Sequence, residues 1–155
     1  MNQGFELRAV EGKGEGIFAT QVFQRNQIVM IGKIEKVLEA NHSHASQIAK
    51  DTHVLHAGLI SKVNHSCGPN CGIKVNATGA HDFVAMKEIT VGEEITFDYV
   101  MRNYSIDYFP ANCMCGADTC RGKITGWKDL PEMTKKKYEG FVAPYLYELD
   151  AVSPL

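Results

Sequence analysis

Cys113, Cys115 and Cys120, in the stretch "CMCGADTCRG", combine the residue type and the spacing of a metal site. Thiolates are zinc ligands, and Gly116 lets the chain turn back so that C-x-C-x4-C brings three sulfurs within reach of one ion. A tetrahedral structural site needs a fourth ligand from elsewhere, and Cys67, Cys71, His65 and the other histidines are the candidates. The alternative, three small buried hydrophobes, fits poorly with a loop this polar and glycine-bearing.

The second chemistry-bearing stretch is "VNHSCGPNC", residues 63–71, where Asn64, His65, Ser66 and Cys67 precede a Gly68-Pro69 turn. A base beside a thiol can generate a nucleophile. Cysteine hydrolases, however, bring Cys and His together from distant parts of the fold, and a metal-bound cysteine is a poor nucleophile. "GKGEG" (12–16) has glycines at every second position, which permits positive φ and close approach to a ligand, or simply makes a hairpin turn. It fails the dinucleotide pattern G-x-G-x-x-G. In "EEITFDYV" (93–100), strand alternation puts Ile95, Phe97 and Tyr99 on one buried face and Thr96 and Asp98 on the other. Tyr99 is then either a core aromatic or a site residue.

The elements that must position these residues are mostly strands. "FELRAV" (5–10), "GIFAT" (16–20), "QIVMIGKI" (27–34), "THVLHA" (52–57), "GIKVNAT" (72–78), "DFVAMKEI" (82–89) and "ITFDYV" (95–100) all carry strand composition. The polar run 35–51 predicts one helical turn near Ser46–Lys50, and residues 35–57 read as a variable insert. Beyond Pro110, residues 131–149 show helical periodicity through Met133, Tyr138, Phe141 and Leu146, with Gly140 and Pro144 dividing the segment in two. Trp127, Tyr145 and Leu146 should pack this tail onto the domain, and Lys135–Lys137 should form a solvated helix face.

With 155 residues, 45% of them apolar and 22% charged, the chain has the composition of one globular domain. Sixteen basic against eighteen acidic residues leave a net charge of −2, so no nucleic-acid binding is expected. No apolar run has the length of a membrane span, and the N-terminus lacks signal-peptide layout, which implies an intracellular protein. In that setting five cysteines favour a metal or redox role over a disulfide framework.

The order "KGEG", "NHSCGPNC", "GEEITFDY", "CMCGADTCRG" closely resembles the SET-domain protein lysine methyltransferases that carry a post-SET zinc module, over residues 5–122. The resemblance implies a mostly β fold of small curved sheets, of the β-clip type, with the "NHSC" segment threaded into a pseudoknot, a rare topology. It implies a SET domain over 1–110, a zinc-bound post-SET loop over 111–124 and a helical extension over 125–155. It implies S-adenosylmethionine held by Lys13, Gly14, Glu15, Gly16, Asn64, His65 and Tyr99, with Tyr99 catalytic and Phe97, Tyr104 and Tyr108 lining the lysine channel. Cys67 becomes the zinc ligand that joins Cys113, Cys115 and Cys120, and Cys71 is left over. Three positions depart from the family pattern, where an Arg usually stands at Lys62, a Phe at Val63 and an aromatic at Glu15.

A free lysine has a pKa near 10.4, so methyl transfer requires a site that favours the neutral amine, which an apolar channel beside a sulfonium does. Phe97 resembles the family position where Phe and Tyr exchange to set the methyl count, and a Phe there implies capacity for di- or trimethylation. The implied substrate is a lysine in a protein or peptide, a histone tail foremost, with nuclear action in that case and cytoplasmic action otherwise. The rival reading is a catalytically silent domain of the same fold that binds peptides or partner proteins.

Overall fold

The computed structural model describes residues 4–11, 14–39, 46–106, 113 and 115–152. Among them the chain forms ten strands in three small sheets. β1 (Phe5–Val10) and β2 (Gly14–Ala19) make a hairpin, with Val10 opposite Gly14 and Phe5 opposite Ala19. The second sheet combines β3 (Ile28–Met30) with the later strands β8 (Cys71–Val75) and β9 (His81–Ala85), in the order β3-β9-β8. The third is β4 (Ile34–Leu38), β6 (Thr52–His56) and β5 (Ser46–Ala49), in that order. β10 (Glu94–Phe97) pairs antiparallel with β2, and on its other side runs parallel to the two-residue β7 (Asn64–His65).

That last pairing positions the site. Thr96 lies opposite Asn64 and Phe97 opposite His65, and the Ser66 N–H donates to the Phe97 carbonyl at 2.9 Å. The "NHSC" and "TFDY" segments are therefore held side by side by backbone bonds. Beneath them Ile17, Ile95, Phe97, Phe83, Ile73, Ile89 and Met101 are wholly buried, joining the first two sheets into one core.

Several expected elements differ. The run 27–34 is two strands, because Gly32 packs directly on the His81 backbone, where a Cβ would collide, and its N–H leaves the ladder to bond Asp82 Oδ1 at 2.8 Å. Ser46–Lys50 is no helical turn. Residues 46–49 form β5, paired with β6, and burial of Ser46 and Gln47 against specific partners outweighs their local preference. Ser46 Oγ meets His56 Nδ1 at 2.8 Å, and Gln47 Oε1 accepts the Tyr104 N–H at 3.1 Å.

After Phe97 the strand gives way to a 3-10 turn, Tyr99–Met101, with Asp98 as its N-cap, accepting from Val100 N–H at 3.2 Å. Asp98 is therefore 0% exposed instead of lying on an outer strand face. The tail divides as expected into α1 (Glu132–Lys137) and α2 (Tyr145–Val152), with Gly140 at φ +86° between them. Trp127, Tyr145 and Leu146 are buried, but Met133 is 79% exposed. Lys135 is 8% exposed, its Nζ 3.1 Å from Asp150 and 5.0 Å from the Trp127 ring, so it belongs to the tail's packing and not to a solvated face. Among the described residues no helix is long and apolar enough to cross a membrane.

Buried histidines tie the third sheet to the second. His56 Nε2 accepts the His81 N–H at 3.0 Å. Burial first, then the Arg102 cation, bring the His56 pKa down to about 3, and burial, Arg102 and His56 push His81 well below its ordinary value. Because both folded pKa values lie below the unfolded one, the unfolded state binds more protons in acid. Stability, intact above roughly pH 6.5, should fall as pH drops toward 3, by at most about 1.4 kcal/mol per pH unit for each histidine. Urea denaturation from about pH 7 to pH 4 should show this slope, shallower in His56→Gln. An identical slope in the variant contradicts the assignment.

Candidate functional site

Gly14 sits at φ +83°, a conformation that L side chains rarely adopt, so a glycine is needed where β2 begins. At Gly16 the constraint is space, since a Cβ there would crowd Glu94 Oε1 and Asn64 Nδ2. Asn64 uses that room. Its Nδ2 donates to the Glu15 carbonyl and to Glu94 Oε1, both at 2.8 Å, fastening the glycine loop to β7. Glu15 and Lys62, two of the departures from the family pattern, face each other at 3.4 Å as an exposed pair, which contributes little energy.

His65 links Tyr99 to Cys67. Its Nδ1 accepts the Tyr99 N–H at 3.0 Å, which puts the ring proton on Nε2, and Nε2 points at Cys67 Sγ, 3.4 Å away. The His65 and Tyr99 rings meet edge-on with centroids 5.0 Å apart. Burial raises the Tyr99 pKa, opposed by the Arg102 cation, so the hydroxyl is protonated at neutral pH.

The Phe97 ring lies 5.1 Å from that of Tyr99 and 4.7 Å from that of Phe83, and the Arg102 guanidinium stands 4.5 Å over it. Tyr104 is placed by its backbone, which bonds Gln47 on one side and Lys128 on the other. Lys13 and Tyr108 lie outside the described residues.

The sulfurs of Cys67, Cys113, Cys115 and Cys120 lie within 4.8 Å of one another. A tetrahedral zinc–thiolate site, with Zn–S about 2.3 Å, has sulfurs about 3.8 Å apart, so small movements would close this set on an ion, and the four residues could hold a metal. Cys71 is buried in β8 away from the group, and burial pushes its thiol up to about 12. Burial likewise raises Cys67 and takes Cys113 to about 11, the reverse of an activated nucleophile. At Cys115 burial also raises the pKa, but hydrogen bonds from the backbone at Cys67 and Ala117 and from the neighbouring thiols bring it down to about 6. That thiol is the readiest to ionise for a cation.

The loop is fastened a second way, which sequence reading did not find. Arg121, one residue beyond Cys120, grips Asp98 with both terminal guanidinium nitrogens, at 2.7 and 2.8 Å, while its backbone N–H donates to Cys67 Sγ at 3.4 Å. The Tyr138 hydroxyl of the tail donates to Asp98 Oδ2 at 2.8 Å. Asn70, also missed, holds the end of the "NHSCGPN" stretch: its Nδ2 donates to the Glu94 carbonyl at 2.8 Å and its Oδ1 accepts from Thr96 N–H at 2.9 Å. The available signal was residue type alone, an Asn before a strand and an Arg after a cysteine.

A sequence profile of the SET domain matches residues 14–100. The chain belongs to the SET-domain family. It is 41% identical over 70 residues to histone-lysine N-methyltransferase ATXR3 of Arabidopsis thaliana, a match covering 43% of this chain and 3% of that protein. It is 43% identical over 79 residues to histone-lysine N-methyltransferase Set2 of Drosophila melanogaster, covering 48% of this chain and 3% of the relative. The matched segment is thus a small part of these much longer curated relatives. A solved structure of a candidate histone methyltransferase of Plasmodium falciparum superposes with a TM-score of 0.54 at 17% identity, covering 64% of this chain and 95% of that one, a likeness of fold.

The geometry predicts the metal set by exchange of single sulfurs. Metal analysis of purified protein should find about one ion per chain in the wild type and in Cys71→Ser, and loss of the ion in Cys67→Ser. Retention in Cys67→Ser would refute the ligand set.

Proposed function

We propose that the chain is a protein-lysine N-methyltransferase that uses S-adenosylmethionine and acts on a lysine of a protein or peptide, a histone tail foremost. The observation that carries this reading is the continuous hydrogen-bonded path from the Gly14–Gly16 loop through Asn64 and His65 to Tyr99. The names of the relatives, histone-lysine N-methyltransferases, support the substrate class. A histone target places the action in the nucleus.

S-adenosylmethionine, when bound, supplies an electrophilic methyl group on a sulfonium. The backbone of Gly14, Glu15 and Gly16 with Asn64 and His65 would hold it. Gly14 has open space where a side chain would stand, which suits close approach of a ligand. Tyr99 keeps its hydroxyl proton and can fix the direction of an incoming amine, and placement of this kind lowers a barrier without a strong base. The Phe97 and Phe83 rings, with the Arg102 cation over them, disfavour an ammonium and so favour the reactive neutral amine. Zinc on Cys67, Cys113, Cys115 and Cys120 would order the loop that closes the site. In this reading residues 1–110 are the SET domain, 111–124 the zinc loop and 125–155 an extension, and the insert 35–57 supplies most of the β4-β6-β5 sheet.

One observation favours the second reading, a silent binding domain. Phe97 is only 1% exposed, enclosed by Phe83, Tyr99 and Arg102, so a lysine channel at this ring requires a side chain to move.

Calorimetry with S-adenosylmethionine, followed by detection of S-adenosylhomocysteine with histones and basic peptides, separates the two. The enzyme reading predicts binding and turnover, with kcat lowered by about a hundredfold or more in Tyr99→Phe. Binding without turnover on any substrate supports the silent domain. Mass spectra of a good substrate should show di- or trimethyl-lysine, shifting to fewer methyls in Phe97→Tyr, and an unchanged methyl count sinks that assignment.

A further inference from the structure

The C-terminal extension takes hold of the Tyr99 turn at both ends. At the start, the Tyr138 hydroxyl donates to Asp98 Oδ2, and Asp98 caps the turn. At the other end, the Ala143 N–H donates to the Met101 carbonyl at 2.8 Å, and the Tyr145 hydroxyl bonds the Arg102 carbonyl. The connecting segment is fixed to the second sheet as well: the Ile73 N–H donates to the Phe141 carbonyl at 2.7 Å, and Phe141 lies so close over Gly72 that a Cβ there would collide with it. The extension therefore does more than cover the domain, because its polar groups converge on the three-residue turn that carries Tyr99.

Tyr138 has a particular place in this arrangement. Its oxygen shares Asp98 Oδ2 with Arg121, whose own N–H reaches Cys67 Sγ. Burial, and then the Asp98 charge, raise the Tyr138 pKa, so the hydroxyl stays a donor to the carboxylate. We propose that Tyr138 is a positioning residue: through Asp98 it orients the Tyr99 turn and, through Arg121, holds the cysteine loop closed, making the extension an integral part of the site. This rests on the reading of Tyr99 as catalytic for its kinetic arm only.

The test uses the full chain with Tyr138→Phe, which removes one oxygen, and Asp150→Ala as comparison. Asp150 bonds Trp127 and Lys135 within the extension, so its loss weakens the tail at a point other than the Asp98 contact. Zinc release into excess chelator, read with a chromophoric indicator, should accelerate about tenfold or more in Tyr138→Phe and by less than about twofold in Asp150→Ala, even at equal losses of Tm. With a substrate that the wild type methylates, kcat should fall about tenfold in Tyr138→Phe while the KM for S-adenosylmethionine moves by less than about threefold.

Unchanged zinc release in Tyr138→Phe, or equal acceleration in both variants, overturns the clasp. So does wild-type protein that purifies without metal. A wild type that holds zinc but turns over no substrate instead defeats the methyltransferase reading, and the zinc arm still decides the role of Tyr138.

Discussion

A carboxylate that no water reaches has to be paired, and Asp98 is the residue on which the rest of the site depends. Desolvating such a charge costs several kcal/mol unless good hydrogen bonds offset it. Here the offset comes from three separate parts of the chain: the Arg121 guanidinium, the Tyr138 hydroxyl and the Val100 N–H. Removing one partner of such a buried pair typically costs about 3–5 kcal/mol, because the other charge is left uncompensated. The arrangement therefore tends to be all present or all absent.

The turn bearing Tyr99, the cysteine loop and the tail meet at this anion. His65 adds a second connection between the same parts, accepting from Tyr99 N–H on one ring nitrogen and facing Cys67 Sγ with the other. Were Cys67 to hold a metal, a neighbour so placed would orient it and tune it. The glycine loop joins on the far side through Asn64 and Glu94. A candidate cofactor loop, a candidate catalytic tyrosine and a four-thiol cluster thus share one continuous set of hydrogen bonds, although they come from four distant segments of sequence.

Much of this was legible in advance, for local reasons. β1 has the bounds read from "FELRAV", and the tail breaks at Gly140 because a residue at positive φ ends a helix. The C-x-C-x4-C spacing announces three convergent thiols, but spacing alone left the fourth open between Cys67, Cys71 and histidine. What escaped was decided by tertiary pairing. Alternation treated Asp98 as an outward strand residue, and nothing near it in sequence reveals that Arg121 and Tyr138 will reach it. Ser46 and Gln47 look like helix or loop residues until His56 and Tyr104 are there to bond them. Lys135 looked solvated because its partners, Trp127 and Asp150, become its neighbours only when the tail folds.

Hydrogen exchange resolved to short segments, comparing zinc-loaded wild type with Asp98→Asn, tests the dependence on Asp98 most directly. The account predicts that protection falls together at Val100, at Arg121 and around Phe141–Ala143, while β9 and the β1–β2 hairpin keep theirs. Loss confined to Val100, with the cysteine loop and the tail as protected as before, would contradict it.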